Sequence, residues 1–180
     1  MLRADAEDNK ERLLDAARRL FAEHGLTVTM RDVARAAGVG PATLYRRFPT
    51  KQDLIDEAFA DELHACRSIV SEGCAEPDPW RGLCDVLVRV GELNARNQGF
   101  TDAVLSSRPE SLGSHRADVL RELAALCGRA QRAGSLRAGV GIDDLVLVLM
   151  AGRGLSGATA DIRVARARRF AALAIEAFRA

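Results

Sequence analysis

The sequence predicts an all-α protein of about nine helices: a three-helix headpiece carrying a helix-turn-helix, then a C-terminal helical bundle. Three observations carry this reading. Apolar residues recur at three- and four-residue spacing through most of the chain, the signature of helices with one buried face. Glycine and proline fall in most of the gaps between those stretches, where helices stop and start. Only one run, residues 145–150, looks like a buried strand, and its leucines and methionine suit a helix equally well.

Composition places the chain among ordinary soluble proteins. With 180 residues it is long enough to bury a core. Hydrophobic residues make up 48% and charged residues 28%. The net charge of +1 excludes a uniformly basic nucleic-acid glove, so any DNA reader of this balance has to gather its positive charge in one place. Residues 31–51 do so: Arg31, Arg35, Arg46, Arg47 and Lys51 face Asp32 alone, a net +4 that leaves −3 for the remainder. Residues 3–12 are densely charged, unlike a secretory signal, and no apolar run approaches the ~20 residues that span a bilayer. A cytoplasmic protein with no membrane partner is expected. Cys66, Cys74, Cys84 and Cys127 form no C-x-x-C pair and lie within apolar helical patterns, as buried thiols do.

Taken in order, residues 1–8 are polar and expected to fray. Leu13, Leu14, Ala17, Leu20 and Phe21 mark an amphipathic helix that Gly25 stops. Thr29 then reads as an N-cap with Asp32 as its capping-box acid. Val33, Ala34 and Ala37 give the second helix its buried face, and Gly38 ends it. Pro41 suits the first position of a third helix, in which Leu44 and Phe48 point inward. Thr43, Tyr45, Arg46 and Arg47 are left outside. Two short helices, a glycine turn and a basic outer face describe a helix-turn-helix.

Thr50, with Asp53 three residues on, opens a fourth helix. Leu54, Ile55, Ala58, Phe59, Leu63, Cys66 and Val70 form one stripe along it, so a single helix to about residue 72 is expected, ~33 Å long. The expected organisation is therefore a DNA-binding headpiece over residues 1–50, a connecting helix over 51–73, and a regulatory bundle over 74–180. Asp78-Pro79 starts the bundle's first helix, and a break is expected near residues 94–99. A short helix from Phe100, a long one through Leu123 and Cys127, and two closing helices over about 143–155 and 161–179 complete the chain.

Catalytic and cofactor patterns are poor. Residues 152–157 fit G-x-G-x-x-G, but only 23 residues follow, too few for the rest of a dinucleotide-binding unit. Ser156 lacks the second glycine of a nucleophile elbow, since Ala158 stands there. His24, His64 and His115 are dispersed. No metal, cofactor or catalytic activity is expected, and a helical enzyme is the weakest alternative.

The ordered set Phe21, Gly25, Thr29, Val33, Ala34, Gly38, Val39, Thr43, Leu44, Tyr45, Phe48, Lys51 and Leu54 resembles the headpiece of the tetracycline-repressor (TetR) family. The resemblance covers about residues 9–59. It implies a homodimeric, usually repressive regulator that binds a palindromic operator and is released by a small molecule. It also implies phosphate contacts at Thr29, Thr43, Tyr45 and Lys51, and base or groove contacts at Pro41, Ala42 and Arg46. Gly40 departs from the pattern, since many relatives have serine there; glycine still caps, at a cost of a few tenths of a kcal/mol. The residues themselves add that Arg31, Arg46 and Arg47 are suited to phosphate or guanine. Lys51 sits in the first turn of a helix, a poor place for a cation unless an anion binds there too.

In the C-terminal half, residues 145–150 are apolar on every side, and a helix of that kind needs neighbours all round. Leu145, Val146, Leu149, Val164, Ala167, Phe170, Ala174 and Phe178 are therefore expected at a homodimer interface. Candidate lining residues for an effector pocket are Trp80, Cys84, Phe100, Val104, Leu105, Leu112, His115, Leu123, Cys127 and Met150. With few polar groups among them, a small and largely apolar effector is expected. Control by a protein partner or by thiol oxidation is the alternative. Cys66 and Cys74, eight apart on one helix, are ~12 Å apart and too far for a disulfide.

Overall fold

A computed structural model describes residues 2–97, 99–100, 112–155, 157 and 159–180, with side chains from residue 7 onward apart from 112–116 and 153. The described residues are mostly helical. The elements are α1 (Leu2–His24), α2 (Met30–Ala37), α3 (Pro41–Arg47), α4 (Lys51–Ala58), α5 (Ala60–Ala75), α6 (Pro79–Arg96), α7 (Leu112–Arg132), α8 (Ile142–Ala151) and α9 (Ala160–Phe178). Short 3₁₀ turns follow α1 and α8. The run at 145–150 lies in α8, which removes the dinucleotide reading. Among the described residues the only β pairing is one isolated bridge, Leu136 with Arg179, which ties the chain end to the α7–α8 connection.

Two cores organise the molecule. The first joins α1 through α4: Leu13, Ala17 and Phe21 meet Val33, Ala34, Leu44, Phe48, Leu54 and Phe59, all buried. The second joins α5 to α8 through Val70, Leu83, Val86, Leu87, Leu126, Cys127 and Leu145. Helix α6 is the hub, packed on α5, α7, α8 and α9. The small residues Ala167, Ala171 and Ala174 on α9 are buried, consistent with its close packing on α6. Where α5 crosses α6 there is room for glycine only. A Cβ on Gly82 would lie 2.2 Å from the Gly73 carbonyl oxygen, and one on Gly73 would lie 2.4 Å from a Val86 methyl.

Three expectations are corrected. Helix α1 starts at Leu2, so residues 2–8 are helical instead of frayed. Helix α6 runs on to Arg96, past the break expected at residue 94. The single connecting helix is in fact two, because Phe59 leaves helical geometry at φ −114°, ψ 17°. The apolar stripe runs unbroken across that bend, so periodicity could not show it. The physical reason lies in the partners: α4 packs on α1, whereas α5 packs on α6 and α7. Phe59 itself is 1% exposed, with Phe21 and Phe100 rings 6.1 and 6.0 Å away.

Candidate nucleic-acid interface

The putting-together of α2 and α3 begins at their caps. Thr29 and Asp32 form a full capping box: the Asp32 N–H donates to the Thr29 hydroxyl, and the Thr29 N–H donates back to the carboxylate. The Thr29 hydroxyl proton also goes to Asp32, at 2.6 Å, and Arg35 donates to the other oxygen at 2.7 Å. Gly38 ends α2 in the left-handed region at φ 64°, and its missing Cβ would lie 2.7 Å from the Arg12 guanidinium. Gly40 caps α3 without a side-chain bond, and Pro41 fills the first position. Leu44 and Phe48 then anchor α3 in the first core.

That anchoring decides what faces out. Pro41, Ala42, Tyr45, Arg46 and Arg47 are exposed on α3, with Thr43 half-buried; Thr29 and Arg31 are exposed at the start of α2. Tyr45 is 47% exposed, a large aromatic ring left outside a core that had α3 within reach. A hydroxyl on a flat ring beside two arginines suits a phosphate backbone and the wall of a groove.

Lys51, expected at a phosphate, also has a partner within the chain. Its ammonium donates to the Leu26 carbonyl in the turn after α1, and burial pulls its pKa below the ordinary 10.5. It ties that turn to the start of α4. Thr50 repeats the arrangement seen at Thr29, with its N–H and hydroxyl donating to Asp53 at 2.9 and 2.7 Å. Two Thr-x-x-Asp boxes thus flank α3. The Lys51–Leu26 bond had no signal in the sequence, because its partner is a backbone carbonyl 25 residues away.

The capping box at Thr29 makes a pH prediction. The Thr29 hydroxyl, then its N–H, with Arg35 adding, hold the Asp32 carboxyl below its ordinary 3.8. A depressed carboxyl contributes stability that is complete above 3.8 and lost as pH falls through the lowered value. On acidification the amides of Thr29 and Asp32 should lose exchange protection before those of Val33 and Leu44. Simultaneous loss at all four positions would show that the box adds nothing to α2.

The other expected sites are placed less simply. Phe100 is buried in the first core, Leu123 and Cys127 in the second, and Met150 is 38% exposed, so these do not line one pocket. Trp80 packs half-buried on the second core. Cys84 lines an open groove of about 540 Å³ over the α5–α6 crossing, with Glu72, Glu76, Arg81, Asp85 and Arg89, a polar setting unlike the apolar one expected. Val104 and Leu105 lie outside the described residues, as do the side chains of Leu112 and His115.

Of the expected interface residues, Leu145, Val164, Ala167 and Ala174 are buried inside the protomer, at 1–9% exposure, and so offer little surface to a second chain. Leu149 and Phe178 also pack on the second core. Val146 and Phe170 are half-buried. On α8 and α9 the large apolar residues most exposed, among those described, are Leu147, Met150, Ile162 and Leu173. The alanine stripe of α9 is turned to α6 within the protomer, which helical spacing alone does not reveal.

Among the described residues no helix is long and apolar enough to cross a membrane. Residues 13–58 match the family model described as bacterial regulatory proteins, tetR family. Residues 78–180, more than half of the chain, match the model described as transcriptional regulator SbtR-like, C-terminal domain. A crystal structure of a TetR transcriptional regulator from Streptomyces coelicolor is 31% identical, covering 94% of this chain and 98% of its own, with a TM-score of 0.58. An HTH-type transcriptional regulator of Mycobacterium bovis is 29% identical over 142 residues, 75% of this chain and 73% of its own. The HTH-type transcriptional repressor KstR2 of Rhodococcus jostii is 46% identical over 66 residues, about a third of each chain.

Proposed function

Because the chain belongs to the TetR family of DNA-binding transcriptional regulators, we propose that it is a homodimeric repressor that holds a palindromic operator through α3 and is released by a small effector. The observation that carries the DNA-reading part is the outward set on α3: Tyr45, Arg46 and Arg47 exposed while Leu44 and Phe48 are locked inside. In this reading Thr43 and Tyr45 grip phosphates, and Arg46, with Pro41 and Ala42, meets the bases. Thr29 contributes once its hydroxyl turns from Asp32 to DNA. Lys51 contributes by position, bracing the start of α4 against the turn after α1.

Two copies are needed to read two half-sites, and the exposed Leu147, Met150, Ile162 and Leu173 on α8 and α9 supply an apolar face for pairing. The working division is a headpiece to about residue 50, the bent connection of α4 and α5, and a bundle from residue 74. The repressor named KstR2 supports repression over activation. Effector control fits a bundle joined to the headpiece through α5 and Phe100.

The thiols argue against control by oxidation. Burial pushes Cys66 and Cys127 up to about 11 and raises Cys74 and Cys84 as well, which starves each of the reactive thiolate. Cys74 packs on the side of α7 that carries Glu122 and Arg129.

Footprinting on DNA flanking the chain's own gene tests the proposal. The wild type should protect two half-sites, with a steep loss of affinity as salt rises. Tyr45→Ala should bind about 10- to 100-fold more weakly, the worth of a hydrogen bond to a charged group. A wild type that protects no DNA overturns the reading.

A further inference from the structure

Among the described residues one buried side-chain oxygen has no hydrogen-bond partner: Oε2 of Glu62 on α5. The other oxygen accepts from the side-chain amide of Asn97, just past the end of α6. The two oxygens of a carboxyl group lie close together, so Oε2 faces the same seam between α5 and α6. Neither protonation state satisfies it. As a carboxylate it is an acceptor without a donor, and as a carboxylic acid its O–H would lack an acceptor. Buried polar groups in folded proteins are almost always paired, so an orphan of this kind calls for a partner.

The surroundings say what partner fits. Cys66 lies four after Glu62 on the same stripe of α5, and Phe59 stands just before the helix, three residues before Glu62. Leu93 lies four before Asn97 on α6. Phe59 belongs to the first core, whereas Cys66 and Leu93 pack against both cores. Glu62 is thus a carboxyl group in an apolar seam where the two cores meet. A cationic donor makes the strongest hydrogen bond to it, and apolar walls suit a hydrocarbon body.

We propose that Glu62 is the polar anchor for a small amphiphilic cation, a protonated amine on an apolar body, seated between α5 and the end of α6. This rests on the reading of the chain as an effector-controlled regulator, and it gives the largely apolar effector a cationic head. The seam is placed to be felt by the headpiece. Asn97, which shares the carboxyl group, lies three residues before Phe100, whose ring is buried against Phe59. Between them, Gly99 sits so near α1 that a Cβ there would lie 2.9 Å from the Phe21 carbonyl carbon. A guest that takes over the Glu62 carboxyl group frees Asn97 and with it the segment that touches α1 and Phe59.

The test is calorimetric titration of the full chain with hexylammonium, hexanol and hexanoate at matched ionic strength, for wild type and Glu62→Gln. Hexylammonium should bind wild type saturably and Glu62→Gln at least about tenfold more weakly, the loss of one charge-assisted bond. Hexanoate should not bind. No saturable binding of hexylammonium, equal affinity in both proteins, or hexanoate binding as well as hexylammonium each overturns the proposal. The comparison of the three probes on wild type stands even if Glu62→Gln does not fold. Footprints of the same wild-type sample separate the two readings: a protected operator with no amine binding sinks the Glu62 site alone, whereas an unprotected operator sinks the DNA-binding reading.

Discussion

Placing glutamates at Leu147 and Leu173 should turn the protein into a folded monomer that no longer protects a two-half-site operator. Both side chains are largely outside the protomer, at 64% and 48% exposure, so the substitutions remove little from its own cores. In a dimer the same carboxylates would be driven into an apolar interface without partners, and burying unpaired charge is prohibitive. Sedimentation should show half the wild-type mass with helical content unchanged. Loss of the covalent-like tether between headpieces should lower operator affinity by about 10²- to 10⁴-fold, the usual gain from making a second contact intramolecular. Val164→Glu makes the contrast, because Val164 is 5% exposed and packed with Ala95 and Ala167, so that variant should lose its fold along with its DNA. A double variant that still sediments as a dimer would move the interface elsewhere.

The contrast between Leu173 and Val164 shows what the sequence carries and what it leaves out. Periodicity identifies a helix and its apolar residues from local spacing alone, and most of the described helices were legible on that basis; α4 and α5 read as one, and the short helix expected from Phe100 lies outside the described residues. Which of two apolar sides faces the chain's own bundle depends on the crossing with α6, set by residues some 80 positions away. Burial within α9 was therefore beyond reach. The headpiece was more legible because its chemistry is local: Thr29 with Asp32, Gly38, Gly40-Pro41 and Thr50 with Asp53 are caps and turns completed within four residues. Lys51 marks the limit within that same region. Its charge and helix position pointed to an anion, and nothing local showed that its ammonium also reaches a carbonyl across the fold. The bend at Phe59 and the orphan oxygen of Glu62 were hidden for the same reason, since both depend on what α6 and Phe100 bring alongside.

Two glycines on α6 should respond to the same change with opposite sign. Gly82→Ala should destabilise by about 3 kcal/mol, at the upper end of overpacking effects, because the new methyl meets backbone. It would lie 2.2 Å from the Gly73 carbonyl oxygen and 3.2 Å from Glu76 Cβ, and neither is the free end of a flexible side chain. Relief requires α5 and α6 to move apart at the crossing, which also loosens Val70, Leu83 and Val86 in the second core. Gly91 lies nine residues further along the same helix with nothing within 4 Å of an added Cβ. There alanine only removes the entropic penalty of a mid-helix glycine, so Gly91→Ala should stabilise by about 0.5–1 kcal/mol. Urea melts of the two variants decide it: a lower midpoint for the first and a higher one for the second are expected. Equal shifts would mean that helix propensity governs both positions and that the α5–α6 crossing yields freely. Because α5 leads from α4 and α6 ends at Arg96, just before Asn97, loosening their crossing should also reach the headpiece, and operator affinity measured on Gly82→Ala reports how firmly the two cores are joined.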